Sequence, residues 1–131
     1  MLDEIGTVTI WVNDLNRALE FYVNVLGLEK RVDMTNNLEG LRWLTIAPQG
    51  SSLELLLADP QQFSHAPIIP GTFSGIVFRT RDMETTFHDL QARGVIFSQL
   101  PTPQPWGGIR AQFQDLDGNV HGLVQEPEWG R

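Results

Sequence analysis

Two segments of this chain are one pattern written twice. IGTVTIWVNDLNRALEFY (Ile5–Tyr22) and FSGIVFRTRDMETTFHDL (Phe73–Leu90) each run from alternating apolar residues through an Asp into a stretch with helical spacing. Asp14 and Asp82 stand 68 positions apart (82 − 14). Gly50 and Gly118, each closing a turn before a short apolar run, stand 68 apart as well (118 − 50). One offset holding at both ends of a module marks an internal repeat. It lays APQG over DLDG, and Leu53 and Leu55 over His121 and Leu123. At 131 residues the chain is then one domain made of two half-size modules.

Each module reads as strand, helix and three strands. In Thr7–Val12 the residues Val8, Ile10 and Val12 fall on one side and Thr7, Thr9 and Trp11 on the other, the period of a strand. Leu15, Ala18, Leu19, Tyr22, Val25 and Leu26 then recur at three- and four-residue steps, with Asn13 or Asp14 as cap and Gly27 as the left-handed stop. Strands are expected around Leu28–Asp33, Arg42–Ile46 and Ser52–Leu57. The second module repeats this with a strand at Gly75–Thr80, a helix capped by Asp82 and closed at Gly94, a short strand VIFSQL, a loop PTPQPWGG, and strands Ile109–Gln114 and Val120–Gln125. Module one spans about 5–58, a proline-bearing connector 59–72, and module two about 73–126.

A curved four-stranded sheet with one helix covers one face and leaves the other bare, so a pair of modules can close a trough. The expected fold is therefore α+β, with two tandem βαβββ modules whose curved sheets close around a shared cavity. Strand parity assigns Val8, Ile10, Val12, Leu53, Leu55, Ile76, Phe78 and Thr80 to the helix side. It assigns Thr7, Thr9, Trp11, Glu54, Leu56, Gly75, Val77, Arg79, Gly122 and Val124 to the trough, and any bulge would shift this locally.

Composition narrows the chemistry. Cysteine is absent, which removes thiol nucleophiles, Cys-ligated zinc, iron–sulfur clusters and disulfides, and fits a cytoplasmic protein. The net charge is −7 and Lys30 is the sole lysine, so a phosphate backbone is repelled and no nucleic-acid partner is expected. No apolar run is long enough for a membrane span, and MLDEIG lacks the pattern of a secretory leader. There is no H-E-x-x-H, P-loop, G-x-S-x-G or dinucleotide-binding glycine pattern.

The order TVTIWVNDLNRALEFYVNVLGLE, LELLL, GIVFRTRD and FQDLDGNVHGLVQ resembles the vicinal oxygen chelate superfamily, which includes glyoxalase I, extradiol dioxygenases and the bleomycin and fosfomycin resistance proteins. The resemblance covers nearly the whole chain. It implies a homodimer, side by side or arm-exchanged. Metal-dependent members hold a divalent ion with four ligands, two per module, from His or Gln and Glu on the first and last strands. Carried over, those positions fall on Thr7 and Glu54 in module one and on Gly75 and Gly122 in module two, and only Glu54 matches. No cofactor is therefore expected, since one carboxylate does not hold such an ion; the alternative is a divalent metal reached by a register shift or through a partner chain.

The remaining candidates describe a pocket for a small molecule. Trp11 and the loop residue Trp106, with flanking glycines that let it swing, offer aromatic walls; the side taken by Trp43 is undecided because LRWLTI lacks alternation. Arg79 presents a fixed charge. Glu54 is either paired with Arg42 or Arg79, or acts as a general base whose pKa burial raises. His121 shares parity with Leu123 and reads as a packed core histidine, His88 as surface, and His65 as a connector residue able to fold over a pocket mouth. The expected ligand-binding set is Thr7, Thr9, Trp11, Arg42, Trp43, Glu54, Arg79 and Trp106, with Glu54 as the candidate catalytic group. The resemblance to the bleomycin-resistance branch implies metal-free binding of an amphipathic or aromatic compound. The alternative is a glyoxalase- or dioxygenase-like enzyme acting on a vicinal dicarbonyl, hydroxy-acid or catechol-like substrate.

Overall fold

A computed structural model of the chain describes residues 1–36, 41–63 and 70–127, with only the backbone of Asn36 and Phe63. His65 and the middle of the connector, 64–69, lie outside the described residues. The chain divides into two compact units, Met1–Pro70 and Gly71–Arg131.

The first unit runs β1 (Thr7–Trp11), α1 (Leu15–Glu20), a π-helical continuation (Phe21–Val25), β2 (Glu29–Asn36), β3 (Leu41–Ala47), β4 (Glu54–Ala58) and a short α2 (Pro60–Phe63). Its sheet has the order β1-β4-β3-β2, with β1 parallel to β4 and the other pairs antiparallel. The second unit runs β5 (Phe73–Arg79), α3 (Met83–Ala92), β6 (Ile96–Pro103), β7 (Ile109–Gln114) and β8 (Val120–Gln125), in the order β5-β8-β7-β6. This is the tandem βαβββ layout, with each sheet open at its two edge strands.

Local chemistry explains the repeated joints. Asp14 caps α1 by accepting a bond from the Arg17 amide at 3.1 Å, and Asp82 caps α3 by accepting from the Thr85 amide at 3.1 Å and its hydroxyl at 2.8 Å. Those bonds hold the Asp82 carboxyl below its usual range. Gly50 and Gly118 take φ values of 83° and 81°, which only glycine adopts cheaply. The Asp115–Asn119 turn closes on itself. Asp115 Oδ1 accepts from the amides of Asp117 and Asn119, each at 2.9 Å, and Oδ2 from Asn119 Nδ2 at 2.9 Å. The F-x-D-x-D-G-N motif is thus a structural clasp.

The first core lies where α1 meets the sheet. Ile10, Leu44 and Leu57 are register neighbours and are buried with Leu15, Ala18 and Tyr22. Adjacent Phe21 and Tyr22 are both buried, their rings edge to face at 5.4 Å. An ordinary α-turn would swing one of two successive side chains off the packed face. The chain instead widens into a π-turn, with the Leu26 amide bonded to the Phe21 carbonyl at 3.0 Å. The second core joins Phe78, Phe97 and Phe113 to His121, with ring centroids 5.6–6.0 Å apart.

Several expected boundaries move. Leu53, assigned to the core, precedes β4 and is 36% exposed. The expected loop PTPQPWGG begins as strand, because β6 extends to Pro103. Pro101 and Pro103 are tolerated there because β6 is an edge strand with amide positions that need no partner.

Candidate functional site

Strand register sorts the first unit's sheet into two faces. Thr7 pairs with Glu54, Thr9 with Leu56, Trp11 with Ala58, and Leu56 in turn with Thr45. These residues share the face turned away from α1, as parity had placed Thr7, Thr9, Trp11 and Glu54. The register Leu44↔Leu57, carried one residue on, sets Trp43 beside Ala58. Trp43 therefore joins Trp11 on this face, one on either side of the small Ala58. Trp11 is half-buried and Trp43 is 43% exposed.

Glu54 ends this face with a partner that parity did not supply. Its carboxylate lies 3.9 Å from Arg31 Nη1, and neither Arg42 nor Arg79 is its partner. Arg31 sits at the β2 bulge between Lys30 and Val32. Its guanidinium also bonds Glu29 at 2.6 Å and the carbonyls of Pro48 and Ser51 at 3.1 and 2.8 Å. One side chain thus ties β2, the turn before β4 and Glu54 together. Arg42 projects to the other face. It forks onto both Asp33 oxygens at 2.9 Å and reaches Asn16 of α1 at 2.7 Å. The fork pulls the Asp33 carboxyl below the usual carboxylate range. The expectation that Arg42 shares a face with Glu54 is corrected by this geometry.

In the second unit the register breaks from the repeat. Phe73 pairs with Val120, but Val77, not Gly75, pairs with Gly122. The bulge at Ser74–Ile76 absorbs the difference: Gly75 takes a φ of 79° and Ser74 Oγ turns inward to bond the Val120 carbonyl at 3.0 Å. A Cβ built on Gly122 would meet Val77 methyls at 3.1 and 3.5 Å and Arg110 Nη2 at 3.4 Å. Arg79 is mostly exposed and lies 3.6 Å from Glu126. Trp106 lies over its own loop. Its six-membered ring occupies the place where a Gly108 Cβ would stand, leaving the indole 44% exposed.

His121 is fully buried, as parity placed it. Its Nδ1 lies 2.7 Å from Ser74 Oγ, and burial pushes its pKa down to about 4 against the opposing charge of Asp115. It is a neutral core residue. His88 is exposed beside Phe87, as expected of a surface residue.

The positions that a metal would need do not fit one. Thr7 and Glu54 adjoin, but the single carboxylate already faces a guanidinium. The space at Gly122 holds valine methyls and a second guanidinium, which repels a cation. Among the described residues no three His, Cys, Asp or Glu side chains converge on a common point. No helix among them is long and apolar enough to cross a membrane.

Paired βαβββ units with a face of this kind define a class, and comparison with known proteins supplies the family. A profile of the Glyoxalase/Bleomycin resistance protein/Dioxygenase superfamily matches residues 4–121, and the chain belongs to that superfamily. It is similar to the crystal structure of a superfamily member from Sphaerobacter thermophilus DSM 20745, at 36% identity and TM-score 0.87, covering 94% of this chain and 97% of that one. It is also similar to TnmS3, an antibiotic binding protein from Streptomyces sp. CB03234, at 34% identity and TM-score 0.81, covering 96% and 98%. YetH of Bacillus subtilis (strain 168) is 30% identical over 120 residues, 92% of this chain and 96% of YetH.

Proposed function

We propose that this chain is a small-molecule binding protein that holds an amphipathic or aromatic ligand on the sheet faces turned away from its helices, without a divalent metal. The observation that carries this is a pair of indoles on one sheet face of the first unit. Trp11 and Trp43 flank Ala58 on neighbouring strands of one sheet. Two strand spacings separate their backbones by about 10 Å, and Trp43, 43% exposed beside the half-buried Trp11, offers an indole on which a flat ring can stack. Thr7, Thr9 and Glu54 supply polar groups on the same face; the second unit carries an exposed cation and indole of its own, Arg79 and Trp106. The similarity to an antibiotic binding protein supports the same reading. We further propose a cytoplasmic homodimer, which light scattering on the purified protein tests.

Tryptophan quenching by a panel of polycyclic aromatic compounds tests the ligand class. Saturable quenching is expected, with affinity falling about tenfold in Trp11→Ala or Trp43→Ala, the scale of a lost aromatic stack. Unchanged affinity in both variants would falsify the indole pair as the site.

A second reading adds turnover at the same face. Glu54 is accessible and oriented by Arg31, so it can accept a proton from a carbon next to a carbonyl. Turnover abolished by Glu54→Ala, with ligand affinity kept, decides for that reading.

A further inference from the structure

The other sheet arginines answer to a carboxylate, Arg31 to Glu29 and Glu54, Arg42 to Asp33, and Arg79 to Glu126. Arg110 does not. It sits on β7, half-buried, and its guanidinium makes no hydrogen bond or ion pair with any described residue. A half-buried guanidinium with nothing to donate to is costly in a folded chain, and the cost falls when an anion arrives. The surroundings are shaped to keep it there. Gly122 leaves the space that Arg110 Nη2 enters, 3.4 Å from where a Cβ would stand, and the bulge in β5 brings Val77 alongside. Val124 is its partner across the β7–β8 ladder, and Thr102 its partner on β6. The result is a planar, permanently charged donor with valines on two sides and a hydroxyl nearby.

Building on the small-molecule reading above, we infer that Arg110 is an anion-recognition residue and that the ligand it selects is an aromatic carboxylic acid. A guanidinium offers paired N–H groups at the spacing of the two oxygens of a carboxylate. The valines favour an apolar body behind that group. Neither a neutral ring system nor an amine satisfies both features. Gly122, which the repeat aligns with a metal-ligand position, here makes room for a cation in place of one.

The test is a titration of the intact protein at pH 7 with 2-naphthoate and with its methyl ester, followed by tryptophan quenching and calorimetry. The wild type should bind the acid at least tenfold more tightly than the ester. Arg110→Gln should bring the acid down to the level of the ester and leave the ester unchanged, and Arg110→Lys should restore part of the preference. Equal affinity for the two probes in the wild type, or a preference kept by Arg110→Gln, overturns the inference and leaves the small-molecule reading standing. Binding of neither probe overturns both. In the wild type, the Arg110 Nε–Hε resonance, assigned by its loss in Arg110→Lys, should move with 2-naphthoate and stay still with the ester. That reading holds even if the glutamine variant fails to fold, and an unmoved resonance at saturation overturns the inference.

Discussion

His121 is a residue type that usually signals chemistry, placed here in a shell of phenylalanine rings. Its neutral form fits the core and its charged form does not. The unfolded chain takes up a proton below about pH 6.5, whereas the folded chain refuses it until about pH 4. The stability that this group contributes is therefore complete above pH 6.5 and is lost as the pH falls through that window. The loss approaches about 3 kcal/mol. Asp33 and Asp82, held below their usual range, add a further loss only at lower pH. Urea midpoints between pH 7 and 4 should fall in the wild type and stay flatter in His121→Phe. Two arginines make a matched pair of predictions. Arg31→Ala takes a donor from the Ser51 carbonyl and from the carboxylates of Glu29 and Glu54 and should cost about 2 kcal/mol. Arg42→Ala breaks a fork near the surface and should cost about 1 kcal/mol, with no effect on ligand affinity. Thermal melts and titrations of the two variants check both.

At the scale of elements, Trp106 and Gly108 form one unit. Any side chain at 108 must displace the indole, and the carbonyl of Gln125 leaves little other room, at 2.7 Å from the would-be Cβ. Gly108→Ala should red-shift tryptophan emission and lower the melting temperature, while Gly107→Ala, strained by its φ of 97°, should lower stability as well. The helices, their Asp caps and the turn glycines were legible in the sequence, because caps and positive-φ positions demand particular residue types. Parity was legible along β1 and β4, where pairing is regular. The bulges of β2 and β5 were not legible, because they change which residues pair without changing composition. Arg31 was missed for that reason, and Arg110 because IRAQFQ gives no hint of what a glycine on the next strand allows. Trp43 stayed ambiguous because residues of both parities, Leu44 to Ala47, are buried in β3, which erases the alternation.

For the whole molecule, the residues at the inherited ligand positions set a simple expectation. Dialysis against EDTA should leave the melting temperature and the affinity for aromatic ligands unchanged, and elemental analysis should find no stoichiometric divalent metal. A drop of several degrees on chelation, reversed by one metal, would overturn that reading of Thr7, Glu54, Gly75 and Gly122.

The bulge at Ser74–Ile76 has a consequence for how such a chain diversifies. Duplication delivers two identical halves, and point substitutions alone would erode their likeness one position at a time. A two-residue slip of the strand against its neighbour keeps each side chain on its face but changes its partner across the ladder, while the caps and turns that hold the half together keep their spacing. The first copy sets a hydroxyl beside a carboxylate; the slipped copy presents a valine and a guanidinium over bare backbone. Three residues are thereby enough to give twin scaffolds unlike surfaces, so selection on ligand choice can act on one half without disturbing the other.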